Sequence, residues 1–113
     1  MAEAVNWRGD WQAALEEAGK GKRPLVLEIY LEGCPHCQRL ARETHTDAAV
    51  VAALQTRFIP VRLEGRQHLD LVKQLQVPGA PTTIIFSPEG GELKRFAGFL
   101  PPEEYLKMLE QVP

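Results

Sequence analysis

Cys34 and Cys37 are the only cysteines in the chain, and they bracket Pro35 and His36. Three positions apart on a helix, their sulfurs lie on one turn, close enough to join reversibly as a disulfide. If Cys34 opens that helix, its sulfur sits beside unpaired backbone N–H groups and the positive end of the helix dipole. Such surroundings favour a thiolate, the nucleophile of disulfide exchange. Cys34, behind the small Gly33, reads as the attacking cysteine. Cys37, one turn inside, reads as the cysteine that resolves the mixed disulfide and releases reduced substrate. His36, as an imidazolium, would stabilise the reduced form and make the disulfide more oxidising; otherwise it is a solvated turn residue. Pro35 suits a first helical turn, where its missing N–H costs nothing, and it shapes the exposed surface there.

Glu28 is the other candidate. It interrupts the apolar run from Pro24 to Leu31, and burying it costs free energy unless it is paired or protonated. Such a carboxyl could take the Cys37 proton through a water and later return it. The alternative is that Glu28 faces solvent.

Positioning these groups requires an ordered scaffold, and the hydrophobic pattern outlines one. Asp10 is a candidate N-cap for a helix over 11–18, closed by Gly19-Lys20-Gly21. The run 24–31 reads as a strand covered on both faces. A helix follows from Cys34 to about Thr44, then a second, capped by Thr46 or Asp47, to about Gln55. Residues 58–63 read as a second buried strand. The segment 68–75 is a short helix with Leu69, Val72 and Leu75 on its inner side. Strands over 82–86 and 93–97 are joined by the turn Ser87-Pro88-Glu89-Gly90-Gly91. Pro101 or Pro102 opens a last helix with Tyr105, Leu106 and Leu109 inward. The two helix-separated strands are expected parallel and the last two antiparallel, giving an α/β fold. Trp7, Trp11, Tyr30, Phe58, Phe86, Phe96 and Phe99 read as core or rim; His45 and His68 suggest no role.

The 113 residues suit a single domain spanning 1–113. Hydrophobic content of 44%, charged content of 25% and a net charge of −2 describe an ordinary globular chain. Acids and bases are interspersed, with no basic stripe for nucleic acid, and no apolar run reaches the ~20 residues of a membrane span. The first seven residues do not read as a secretory signal, so a cytoplasmic address is expected, or alternatively a mature exported (periplasmic) domain without its leader. No dinucleotide or phosphate-loop glycine pattern is present. One CxxC supplies two of the four ligands of a structural zinc site, and neither a second CxxC nor a spaced His pair completes it. No metal is therefore expected.

Taken together, the chain resembles thioredoxin-fold proteins over nearly its whole length. Strand, CxxC at a helix start, helix, strand, helix, x-Pro-Thr, hairpin and closing helix occur in that family's order. Within the superfamily, Trp7, Trp11 and the segment Thr44-x-Thr46-Asp47-x-x-Val50 after the CxxC resemble small thioredoxin-like thiol:disulfide interchange proteins. These include sulfur-oxidation accessory thioredoxins and thioredoxin-domain reductases. The resemblance implies a thioredoxin fold: a central mixed sheet of about four strands, helices on both faces and an N-terminal helical extension. It implies that Glu28 is the family's buried acid and that Arg62 stands near the lysine beside that acid, either paired with Glu28 or on the surface. It also implies a cis bond between Ala80 and Pro81, turning the Ala80 backbone toward Cys34 to form, with Gly33, a surface for a substrate strand. Gly98 matches the glycine after the last strand.

Gly33 replaces the family's usual tryptophan, and Pro35-His36 is the dipeptide of DsbA-type oxidases, although no large helical insertion of that kind is present. The implied activity is protein thiol–disulfide exchange, with the Cys34–Cys37 couple itself in place of any cofactor. A reductase is favoured over a DsbA-like oxidase or isomerase, a metal-binding module or a non-catalytic thioredoxin-like domain. The implied partners are protein disulfides and an upstream electron donor such as a thioredoxin reductase or a membrane thiol transporter, and the expected state is a monomer.

Overall fold

The computed structural model describes residues 4–112; the first three residues of the N-terminal stretch read above, and Pro113, lie outside it. Asp10 caps α1 (Trp11–Gly21), its carboxylate accepting from the Ala13 N–H at 3.0 Å. The helix runs through Gly19-Lys20-Gly21 and stops at Lys22, which takes the left-handed conformation (φ 54°). The expected glycine stop was thus placed too early. Lys22 carries the turn because its backbone N–H bonds back to Ala18 O.

β1 (Leu25–Tyr30) and β2 (Ile59–Glu64) pair in parallel, and β3 (Thr82–Phe86) pairs antiparallel with both β1 and β4 (Glu92–Ala97). The sheet order is β2-β1-β3-β4, so β1 is interior, which explains its near-continuous apolar run. Arg8 adds a parallel bridge to Val61 at the β2 edge. Between β1 and β2 come α2 (Pro35–Arg39) and α3 (Ala48–Arg57), the latter capped by Asp47. A 3-10 turn (Gly65–Gln67) and α4 (Leu69–Gln74) precede β3, and α5 (Pro102–Glu110) closes the chain.

α2 continues as a π-helical turn (Leu40–Thr44), closed by the His45 N–H to Leu40 O at 3.0 Å. The widened turn ends with Thr44 and His45 both buried, and Thr44 Oγ1 donates to Leu100 O at 2.6 Å. Helices cover both faces. Ala14 and Ala18 of α1 pack on Leu25, Leu27, Ile29 and Ile84, while α3 and α5 pack Val50, Leu54, Tyr105 and Leu109 on Val26 and Ile85. Leu69 departs from the expected pattern. It is 66% exposed, because α4 is a short helix with no buried residue.

Among the described residues no helix is long and apolar enough to cross a membrane. The four-stranded mixed sheet with helices on both faces is a thioredoxin fold.

Candidate active site

β1 delivers the chain to a tight turn in which Gly33 adopts φ +81°. A Cβ there would meet nothing within 4 Å, so the constraint is the left-handed backbone and not space. Cys34 is the N-cap of α2, with extended dihedrals, and Pro35 follows in the first turn. The Cys34 Sγ accepts the Cys37 N–H at 3.2 Å, so the sulfur does the work that a serine or aspartate oxygen does at other helix starts. On its other side the Cys34 thiol donates to Ala80 O at 3.7 Å. Cys34 is half-buried, whereas Cys37 is 1% exposed. Both are free thiols. Burial, followed by the hydrogen bond with Cys34, pushes the Cys37 thiol up to about 12. Pro35 and His36 are exposed.

The Ala80–Pro81 bond is cis. Two hydrogen bonds hold the loop around it: Thr82 Oγ1 to Gly79 O at 2.7 Å, and the N–H of Gly98 (φ +87°) to Pro81 O at 2.8 Å. Ala80 is thereby set beside the Cys34 sulfur. An apolar groove of about 180 Å³ adjoins it, lined by residues including Leu31, Leu69, Val72, Val77 and Ala80. On the other flank a more polar cleft is lined by residues including Tyr30, Glu32, Gly33, Cys37, Gln38 and Arg62.

Beneath the cysteines, β1, β2 and β3 place Glu28, Arg62 and Thr83 in one cross-strand row. Glu28 is fully buried. Its Oε2 accepts from Arg62 Nε at 2.9 Å, so of the two readings of Arg62 the paired one holds. The Arg62 guanidinium also lies 3.7 Å over the Tyr30 ring. The Glu28 Oε1 lies 2.9 Å from His45 Nε2. His45 had no role assigned from sequence, yet it is 5% exposed and packed between Trp7 (ring centroids 4.8 Å) and Tyr105 (5.8 Å). Its place depends on the π-helical turn, for which helical periodicity carries no signal. Burial, and then the Glu28 charge, hold the Tyr105 phenol far above its ordinary range.

Cys34, Cys37, Glu28, Arg62, Gly33, Ala80 and Pro81 thus converge on one end of the sheet, with Pro35 and His36 on its outer surface. His68 does not join them; its Nδ1 meets Glu64 O at 3.1 Å. Among the described residues there is no group of three or more His, Cys, Asp or Glu side chains placed to hold a metal ion. The arrangement can carry disulfide exchange: an accessible sulfur at a helix start, a shielded second sulfur one turn away, and a buried carboxylate beneath them.

Comparison with known proteins agrees with this chemistry. The family profile described as thioredoxin-like domain matches residues 11–113. The thiol:disulfide interchange protein DsbD of Yersinia enterocolitica is 33% identical over 107 residues, covering 90% of this chain and 18% of that protein. The chain therefore spans less than a fifth of the length of the curated relatives it matches. A thioredoxin from Thermus thermophilus superposes with a TM-score of 0.87 at 29% identity, over 97% of this chain and 88% of the other. The reduced C-terminal domain of Neisseria meningitidis DsbD has the same fold, with a TM-score of 0.75 at 24% identity, over 90% and 93%.

Proposed function

The chain belongs to the thioredoxin-like domain family; from that premise we propose that it is a thiol–disulfide oxidoreductase working in the reducing direction, passing electrons from an upstream dithiol donor to protein disulfides. Cys34 attacks a substrate disulfide. Its thiolate is stabilised by the Cys37 N–H it already accepts and by the helix N-terminus. The substrate strand lies along Ala80, whose backbone groups are set beside the forming mixed disulfide by the cis bond to Pro81. Gly33 leaves the approach open. Cys37 then gives up its proton, attacks Cys34 and expels reduced substrate. Glu28 takes that proton, and Arg62 steadies the carboxylate.

The observation that carries this reading is the unequal pair: one sulfur half-exposed at a helix start, the other buried directly behind it. The reducing direction is supported by the sequence similarity to DsbD, which also supports the exported alternative over a cytoplasmic address. The Pro35-His36 dipeptide is the one feature that favours an oxidase. The reduction potential separates the two readings: a value near −270 mV, about that of thioredoxin, is expected, and one near −120 mV, about that of DsbA, would reverse the direction.

The shielding of Cys37 has its own signature. Its proton is held more tightly in the folded dithiol, at about 12 against an ordinary 9.0. This contribution to stability is intact below about pH 9 and is lost as pH rises toward 12. Reduced protein should therefore lose stability over that window more steeply than Cys37→Ser, as read by urea unfolding. Parallel profiles would contradict the shielded thiol. Tyr105, present in both, cancels.

A further inference from the structure

His45 enters no step above, yet it is the buried titratable side chain in contact with Glu28 on the side away from Arg62. Its Nε2 and Glu28 Oε1 are 2.9 Å apart without the alignment of a hydrogen bond. Glu28 Oε1, both His45 ring nitrogens, Thr83 Oγ1 and Tyr105 Oη are all buried with no hydrogen-bond partner among the described residues. Buried polar atoms of this kind cost free energy. Thr83 shares the cross-strand row of Glu28, and the Tyr105 ring packs edge-on against His45, so these atoms surround the Glu28–His45 contact.

We propose that His45 is a positioning residue for the resolving step, sharing with Glu28 the proton that Cys37 releases. The inference rests on the assignment of Cys37 as resolving thiol. In that step the Cys37 S–H bond breaks and the Cys37 sulfur bonds to the Cys34 sulfur. The bond between Cys34 and the substrate sulfur breaks, and substrate departs as a thiolate with its electron pair. The dithiol is oxidised and the substrate disulfide reduced. The proton passes to the Glu28 carboxylate and on to His45, then to solvent or the departing thiolate.

Charge balance favours this path. Arg62 and Glu28 already neutralise one another. A thiolate forming at Cys37 adds a negative charge in a buried place, and a proton on His45 offsets it while Glu28 stays paired with Arg62.

The charged and titratable groups around His45 are Glu28 of β1, Arg62 of β2 (beyond Glu28) and Tyr105 of α5; Cys37 of α2 feels the Glu28 charge from the other side of that carboxylate. Trp7 and Thr83 are uncharged, α3 faces the site with Val50 and Leu54, and Arg42 and Glu43 on its own turn are exposed. Arg62 and Cys37 line the same cleft, which brings the Glu28 pair to the flank of the resolving thiol.

The test is stopped-flow reaction of the reduced protein with equimolar dithiobis-nitrobenzoate. Attack by Cys34 releases a first thionitrobenzoate, and resolution by Cys37 a second. In His45→Gln the first phase should match wild type, while the second slows about tenfold near neutral pH and loses one ionisation from its pH profile. Adding His45→Gln to Glu28→Gln should slow the second phase no further, because His45 acts through Glu28.

An unchanged second phase, or one merely offset with the same pH profile, would overturn the proposal. A wild-type protein with no first phase would overturn the assignment of Cys34 and this inference with it. Should the variant fail to fold, imidazole nitrogen shifts of wild-type His45 decide instead. A protonation state that differs between dithiol and disulfide forms at one pH is expected, and an identical state in both across the neutral range would overturn it.

Discussion

The two faces of the sheet come from the same strands and are built in opposite ways. Toward α1 and α4 the strands send Leu27, Ile29, Val61, Leu63 and Ile84, all nearly inaccessible to water. Toward α2 and α5 the alternate positions of those strands include Glu28, Arg62 and Thr83. The first face is a packing surface, whose burial supplies stability in proportion to apolar area. The second gives up part of that stability to hold a carboxylate, a guanidinium and an imidazole under the cysteines. Strand alternation makes the separation possible, since neighbouring residues in β1 belong to different faces. Ile29 can serve the fold while Glu28 serves the site.

Substitutions on each face should separate stability from rate. The largest effect belongs to Ile84→Ala on the apolar face. It should cost about 2–5 kcal/mol in urea unfolding, with both exchange phases of the folded protein unchanged. Glu28→Gln on the polar face comes next. It should slow the Cys37 phase about 100-fold near neutral pH, about 2.7 kcal/mol of barrier, while lowering stability less than Ile84→Ala, because the amide oxygen keeps an acceptor for Arg62. If Ile84→Ala slowed exchange, or Glu28→Gln unfolded the protein, the two faces would not be functionally distinct.

The apolar face was the easier one to read in the sequence. The run Leu25-Val26-Leu27 and the block Thr82–Phe86 are buried on both sides and announce strands by composition alone. The CxxC and the Asp10 and Asp47 caps act over three or four residues, within the reach of local pattern. Glu28 was legible as an acid where an apolar residue was due. His45 was not, since its burial depends on a π-helical turn and on contacts with Trp7, Glu28 and Tyr105, each distant in sequence. Leu69 misled for the complementary reason: helical spacing assigned it an inner side, and the short α4 turns it outward beside the groove at Ala80.

The central claim is that Cys34 attacks and Cys37 resolves. Its most direct test is to incubate reduced Cys37→Ser with oxidised glutathione and weigh the product by mass spectrometry. The geometry predicts a single stable glutathione adduct on Cys34, which wild-type protein clears by forming its own disulfide. A Cys37→Ser protein that takes up no adduct would contradict the account.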